Sequence, residues 1–135
     1  MHKKISIKTS GQGLYEITDQ IQAFVRSQSV PDGLCNVFVQ HTSASLVIQE
    51  NADPSARKDL EAWIQKLVPE RDNLFTHTSE GPDDMPAHIK AALTATNLVI
   101  PVIDGDLALG TWQGVFLWEH RSSRHVRTII VSLTC

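Results

Sequence analysis

Six histidines in 135 residues give this chain an unusual supply of the side chain best suited to metal ligation or to proton transfer near neutral pH. Three of them fall in polar stretches where the pattern leaves a strand or approaches a helix. His41 lies in Gln40-His41-Thr42-Ser43-Ala44-Ser45. His77 and His88 bound a second stretch in which Glu80 precedes a Gly81-Pro82 turn and Asp83-Asp84 stand before His88. A turn at Gly81-Pro82 lets the chain fold back and bring the two imidazoles together. His41, at a strand end, then offers a third nitrogen, the ligand number of many catalytic zinc sites. The His77-to-His88 gap matches none of the short fixed spacings of zinc motifs. The bland assignments therefore stand beside the metal one: His41 bonding a strand end, His77 a loop residue, His88 capping a carbonyl.

Asp83 and Asp84 also read two ways. Paired carboxylates suit a Mg²⁺ that bridges substrate phosphates, and they equally suit the positive end of the helix that follows. Thr42, Ser43 and Ser45 offer hydroxyls to phosphate oxygens, but no glycine-rich phosphate loop and no GxSxG elbow is present. In Gly110-Thr111-Trp112-Gln113-Gly114 a large aromatic stands between glycines that allow close backbone approach. Trp112 there can stack on a planar ring or serve as core or subunit interface, and the second role is the commoner one for a tryptophan. Trp118 and His120 share one face of a strand and Glu119 takes the other. Arg121, Arg124 and Arg127 read as solvated, with one free to pair with an anionic substrate.

The elements that must position these residues follow from period and punctuation. Residues 1–8 alternate as a strand, and 9–13 form a turn before a short extended segment at 14–17. Ile17, Ile21, Phe24 and Val25 recur at helical spacing, so a helix is expected over 18–28, capped by Thr18 and stopped by Val30-Pro31-Asp32-Gly33. Strands are expected over 34–40 and 46–49. Asp53-Pro54 starts a helix with a capping acid and a proline at its first position, and Leu60, Trp63, Ile64 and Leu67 make its apolar face. A linker at 69–73 leads to a shorter helix opened by Asp83, Asp84 and Pro86 and running to about Ala95. Leu98 to Ile103 reads as a strand, Asp104-Gly105-Asp106 as a turn, 107–109 as a short extended segment, and 114–120 with 126–134 as a hairpin. The sum is one compact α+β domain over 1–135, a largely antiparallel sheet or sandwich with two or three helices on one side.

Composition narrows the function. Twelve Lys+Arg against 15 Asp+Glu leave a net charge of -3, without the basic footprint of a nucleic-acid binder. No apolar run approaches a bilayer span, and the first residues lack a secretory pattern. A soluble cytoplasmic protein with no nucleic-acid or membrane partner is expected, with Cys35 and Cys135 as reduced thiols.

Four blocks carry a resemblance: His41 to Leu46; Glu50-Asn51 with Asp53-Pro54; His77 with Glu80 to Lys90; and Gly110 to Gly114. In this order they closely resemble the YjbQ-like family, also called the secondary thiamine-phosphate synthase family, and the likeness runs from the first strand to the last. It implies a homotrimer with a histidine-rich pocket for a divalent metal, zinc or magnesium, held by His41, His77 and His88. It also implies a weak synthase activity on small phosphorylated substrates, in which a thiazole-phosphate nitrogen attacks hydroxymethylpyrimidine diphosphate and pyrophosphate leaves. On that footing His88, Glu80 and Asp84 are the catalytic candidates. Thr42, Asn51, Lys90, Thr111, Trp112 and Gln113 are the substrate-binding ones, with Lys90 and Arg121 toward phosphate and Trp112 against the pyrimidine. A metal-dependent hydrolase and a non-catalytic metal- or ligand-binding trimer are the rival readings.

Overall fold

A computed structural model describes all residues, 1–135. Its strands form two antiparallel sheets. In the larger, β1 (His2–Thr9), β8 (His125–Thr134), β3 (Gly33–Val39), β5 (Asn97–Ile103) and β6 (Asp106–Leu107) lie side by side in that order. In the smaller, β7 (Gln113–Glu119) runs between β2 (Gly13–Glu16) and β4 (Ala44–Glu50). Period-2 alternation sends Cys35, Val37 and Val39 of β3 and Ile129, Val131 and Leu133 of β8 inward, where they meet Leu46, Val115 and Leu117 of the smaller sheet.

The three helices are not gathered on one side. Helix α1 (Thr18–Ser27) feeds Ile21, Phe24 and Val25 into the core between the sheets. Helix α2 (Pro54–Leu67) instead lays Ile64 against Leu14, Phe116 and Trp118 on the opposite face of the smaller sheet. The reason lies in β7, whose residues from Gly114 to Glu119 are all buried. Odd residues serve one core and even residues the other, so the strand needs cover on both faces. Each of these large apolar side chains contributes about 1.5–3 kcal/mol by burial, which is why the small sheet cannot stand with one face bare.

Local chemistry sets the ends. Asp53 caps α2 as expected, accepting the Ser55 N–H at 2.9 Å. Thr18 does not cap α1: it is the first helical residue, and its hydroxyl accepts the Val115 N–H at 2.8 Å and donates to Glu16. Asp104 and Gly105 both have positive φ, the two-residue turn that joins β5 to β6. Helix α3 (Asp84–Leu93) starts where the acidic pair predicts, but Asp83 makes no capping bond. No helix is long and apolar enough to cross a membrane.

Candidate metal centre

The end of β7 and the start of α3 meet through one arginine. Arg121, just past β7, donates from Nε to Asp83 Oδ2 and from Nη1 to Asp84 Oδ1, each at 2.9 Å. Asp83 therefore ties two loops together instead of capping a helix, and the Ser122 N–H adds a bond to its Oδ2 at 2.9 Å. These donors offset the cost of burial and hold the Asp83 carboxyl at about 2.

The second oxygen of Asp84 faces two imidazoles. His77 Nε2 donates to Asp84 Oδ2 at 2.8 Å, and His88 Nε2 lies 3.3 Å from the same oxygen. His88 is one helical turn past Asp84, the i,i+4 spacing that puts two side chains on one face. Its other nitrogen, Nδ1, donates to the Thr42 carbonyl at 2.9 Å. A carbonyl can only accept, so the neutral ring carries its proton on Nδ1 and turns an Nε2 lone pair toward a carboxylate oxygen. Two lone pairs at 3.3 Å repel unless a cation, a metal ion or a second proton, stands between them. The donor atoms of His77, Asp84 and His88 lie within 4.8 Å of one another, so two nitrogens and one oxygen converge. That set suits zinc and other imidazole-binding divalent ions, and the Thr42 carbonyl behind His88 is the outer partner such ligands usually have. Burial acts to raise the Asp84 carboxyl, but the His77 hydrogen bond, the charge of His88 when its ring is doubly protonated and the Arg121 guanidinium outweigh it and hold it below the usual range.

Two hollows flank this group. One, of about 370 Å³, is lined by Arg71, Phe75, His77, Pro82 and Met85 among others. The second, of about 260 Å³, is lined by His41, Thr42, His88 and Thr96 with Ala91 and Ala92. Glu80 is exposed, and its carbonyl takes Arg121 Nη2 at 2.9 Å.

The remaining candidates divide. His41 lines the hollow beside His88, but its Nε2 accepts the Thr128 N–H at 2.8 Å and its Nδ1 faces Arg127 at 3.3 Å. The structure therefore does not bring it into the converging set; Asp84 takes the third place. Lys90 is wholly buried and donates to Gln65 Oε1 at 2.6 Å, out of reach of a phosphate in either hollow. Asn51, Thr111, Trp112 and Gln113 gather at the other end of β7, whose length is about 20 Å at some 3.3 Å per residue. There the Asn51 N–H donates to the Trp112 carbonyl, its Nδ2 donates to Glu16, and Gln113 accepts the Gly110 N–H. Gly114 is required at this spot, since a Cβ would stand 2.6 Å from Glu16 and 2.9 Å from Asn51. Trp112 is 64% exposed.

Two groups went unseen in the sequence. Arg127, which reads as solvated in the sequence, is buried in an ion pair with Glu119, which Thr9 also bonds at 2.6 Å. His120 is buried, with Nε2 2.8 Å from the Ser45 hydroxyl. Burial drives its pKa down to about 3. The alternation that opposed Glu119 to Trp118 and His120 held the signal, but nothing local said that both faces of β7 were covered.

Comparison with known proteins agrees with this fold. The family model described as UPF0047 protein YjbQ-like matches residues 3–135. The UPF0047 protein sll1880 of Synechocystis is 54% identical over 95% of this chain and 87% of its own length. The UPF0047 protein YjbQ of Escherichia coli O157:H7 is 41% identical over 97% and 95%. Among solved structures, a YjbQ/UPF0047 family protein of Clostridium acetobutylicum superposes with a TM-score of 0.90 at 34% identity, covering 98% of this chain and 99% of its own. A conserved hypothetical protein of Thermus thermophilus, TT1486, gives 0.87 at 34% identity over the same shares.

Proposed function

This chain belongs to the YjbQ-like UPF0047 family, and from that premise we propose that it holds one divalent cation at His77, Asp84 and His88 and acts there on a small phosphorylated compound. The carrying observation is the convergence of one donor atom each from His77, Asp84 and His88 within 4.8 Å of one another, with the His88 ring oriented by its Nδ1 bond to Thr42. A divalent ion in that position supplies positive charge for a leaving pyrophosphate. The chain's own groups do the rest. Asp84 balances part of the ion's charge, and the Phe75, Pro82 and Met85 side of the larger hollow excludes water from an organic group. Arg71, exposed and without an ion-pair partner, offers a phosphate its N–H fork. Glu80, exposed on the segment between His77 and Asp84, is the group we assign to accept a proton.

The reaction we assign is the one the family resemblance implies. A thiazole-phosphate nitrogen forms a bond to the methylene of hydroxymethylpyrimidine diphosphate, the methylene–oxygen bond breaks, and pyrophosphate leaves with the electron pair. The test is that synthase assay on His88→Ala beside zinc-loaded wild type at matched folding. Loss of turnover is expected, and an unchanged rate removes His88 from the mechanism. A homotrimer is proposed on the same footing, supported by Leu34, Phe38, Val99 and Ile103, which stand exposed on the uncovered face of the larger sheet. A solution mass of three chains is the expected result.

A further inference from the structure

Arg121 engages all three of its nitrogens within one short segment: Asp83 Oδ2, Asp84 Oδ1 and the Glu80 carbonyl, each at 2.9 Å. Its side chain is only 14% exposed. A planar guanidinium fixes the directions of its N–H bonds, so three partners in its plane hold residues 80–84 as one rigid unit. Arg121 is itself seated from below, because its backbone N–H donates to Glu119 Oε2 at 3.1 Å and Glu119 is locked by Arg127 and Thr9. The consequence falls on Asp84. With Oδ1 taken by Arg121, only Oδ2 is left to meet His77 and His88.

We propose that Arg121 is a positioning residue of the metal centre, locking the Asp84 carboxylate so that one oxygen alone meets the cation, and that it does not bind substrate phosphate. This rests on the metal reading above. An unclamped Asp84 could turn about its side-chain torsions, offering both oxygens or neither, and the two imidazoles would lose a fixed third donor. Outer partners that orient a ligand in this way typically change metal affinity by about 10–100-fold when removed. A lysine in place of Arg121 keeps the charge but reaches one partner at a time.

The test is calorimetric titration with Zn²⁺ of the metal-stripped full chain as wild type, Arg121→Gln, Arg121→Lys and Asp83→Asn. Absorption spectra of the Co²⁺ forms report ligand geometry, and melts of the metal-free proteins report folding. Arg121→Gln is expected to bind Zn²⁺ about 10–100-fold more weakly, with altered Co²⁺ bands. Arg121→Lys is expected to fall between it and wild type. Asp83→Asn keeps the Nη1 bond to Asp84 and is expected to lose least. Wild-type affinity and unchanged Co²⁺ bands in both Arg121 variants would overturn the positioning role and leave the metal site standing. No Zn²⁺ binding by wild type would overturn the metal reading itself. Should Arg121→Gln fail to fold, Arg121→Lys decides alone, and wild-type affinity there overturns the proposal.

Discussion

His41 and His120 both commit Nε2 to the protein, one to the Thr128 N–H and the other to the Ser45 hydroxyl. His77 and His88 bring theirs to a single carboxylate oxygen of Asp84. Burial lowers the pKa of the first pair, so these rings stay neutral as parts of the scaffold. The second pair stands at the surface of two hollows, with a buried acid behind it. Counting imidazoles thus says little, because what separates a ligand from a structural histidine is whether its Nε2 is committed to a backbone or hydroxyl partner of the scaffold or turned toward other donor atoms. The two ends of β7 repeat the lesson: Asn51 bonds Trp112 and Glu16 across strands and Gln113 bonds Gly110 in its own turn, whereas Asp84, His77 and His88 turn three donor atoms toward one point.

Substituting the converging group should have the largest effect. Asp84→Asn removes the anionic donor and is expected to weaken Zn²⁺ binding by more than the roughly 100-fold that an outer partner can cost. Titration of His41→Gln alongside should give wild-type affinity; equal losses in the two variants would erase the distinction between the pairs.

The scaffold side breaks differently. Glu119→Ala leaves Arg127 buried without its partner and is expected to cost about 3–5 kcal/mol in urea denaturation. Truncation of one member of a buried ion pair is expensive because the remaining charge stays out of water.

Acid should act on the scaffold through His120. Its folded pKa of about 3 lies below the 6.5 of a free imidazole, so the unfolded chain takes up the proton first. Its contribution is complete above pH 6.5 and falls by about 1.4 kcal/mol per unit as pH drops toward 3. The lowered carboxyls of Glu119 and Asp83 lose their contributions only below their unfolded values of 4.5 and 3.8. Between pH 6.5 and 4.5 the slope therefore reports the two lowered imidazoles, His120 and His41, and His120→Gln should flatten the larger part of it.

The smallest effect is expected at His41. His41→Gln forfeits one bond to a backbone N–H and should cost about 1–2 kcal/mol, seen as a modest shift in urea midpoint.

Much of the fold was legible because its signals are local. Asp53-Pro54 marked α2, Asp104-Gly105 marked a hairpin, and the 3.6-residue pattern of Ile17, Ile21, Phe24 and Val25 marked α1. What could not be read was pairing across the chain. β1 and β8 join residues more than a hundred positions apart, and the cover on both faces of β7 comes from α2 and the larger sheet. The same limit governed the site. The fold-back of His77 toward His88 followed from Gly81-Pro82, and Asp84 was already a candidate. Arg121 reaches Asp84 across 37 positions, and His41 is held to β8 across 87. Lys90 looked available to phosphate in sequence, but the helix turns it inward onto Gln65.

On the proposed reading, His77, Asp84 and His88 form one divalent-cation site. Calorimetric titration of the metal-stripped full chain with Zn²⁺, run on wild type and Asp84→Asn under the same conditions, tests it directly. One saturable Zn²⁺ per chain is expected in wild type, and its loss is expected in the variant. An absent site in wild type, or superimposable isotherms for the two proteins, would contradict it.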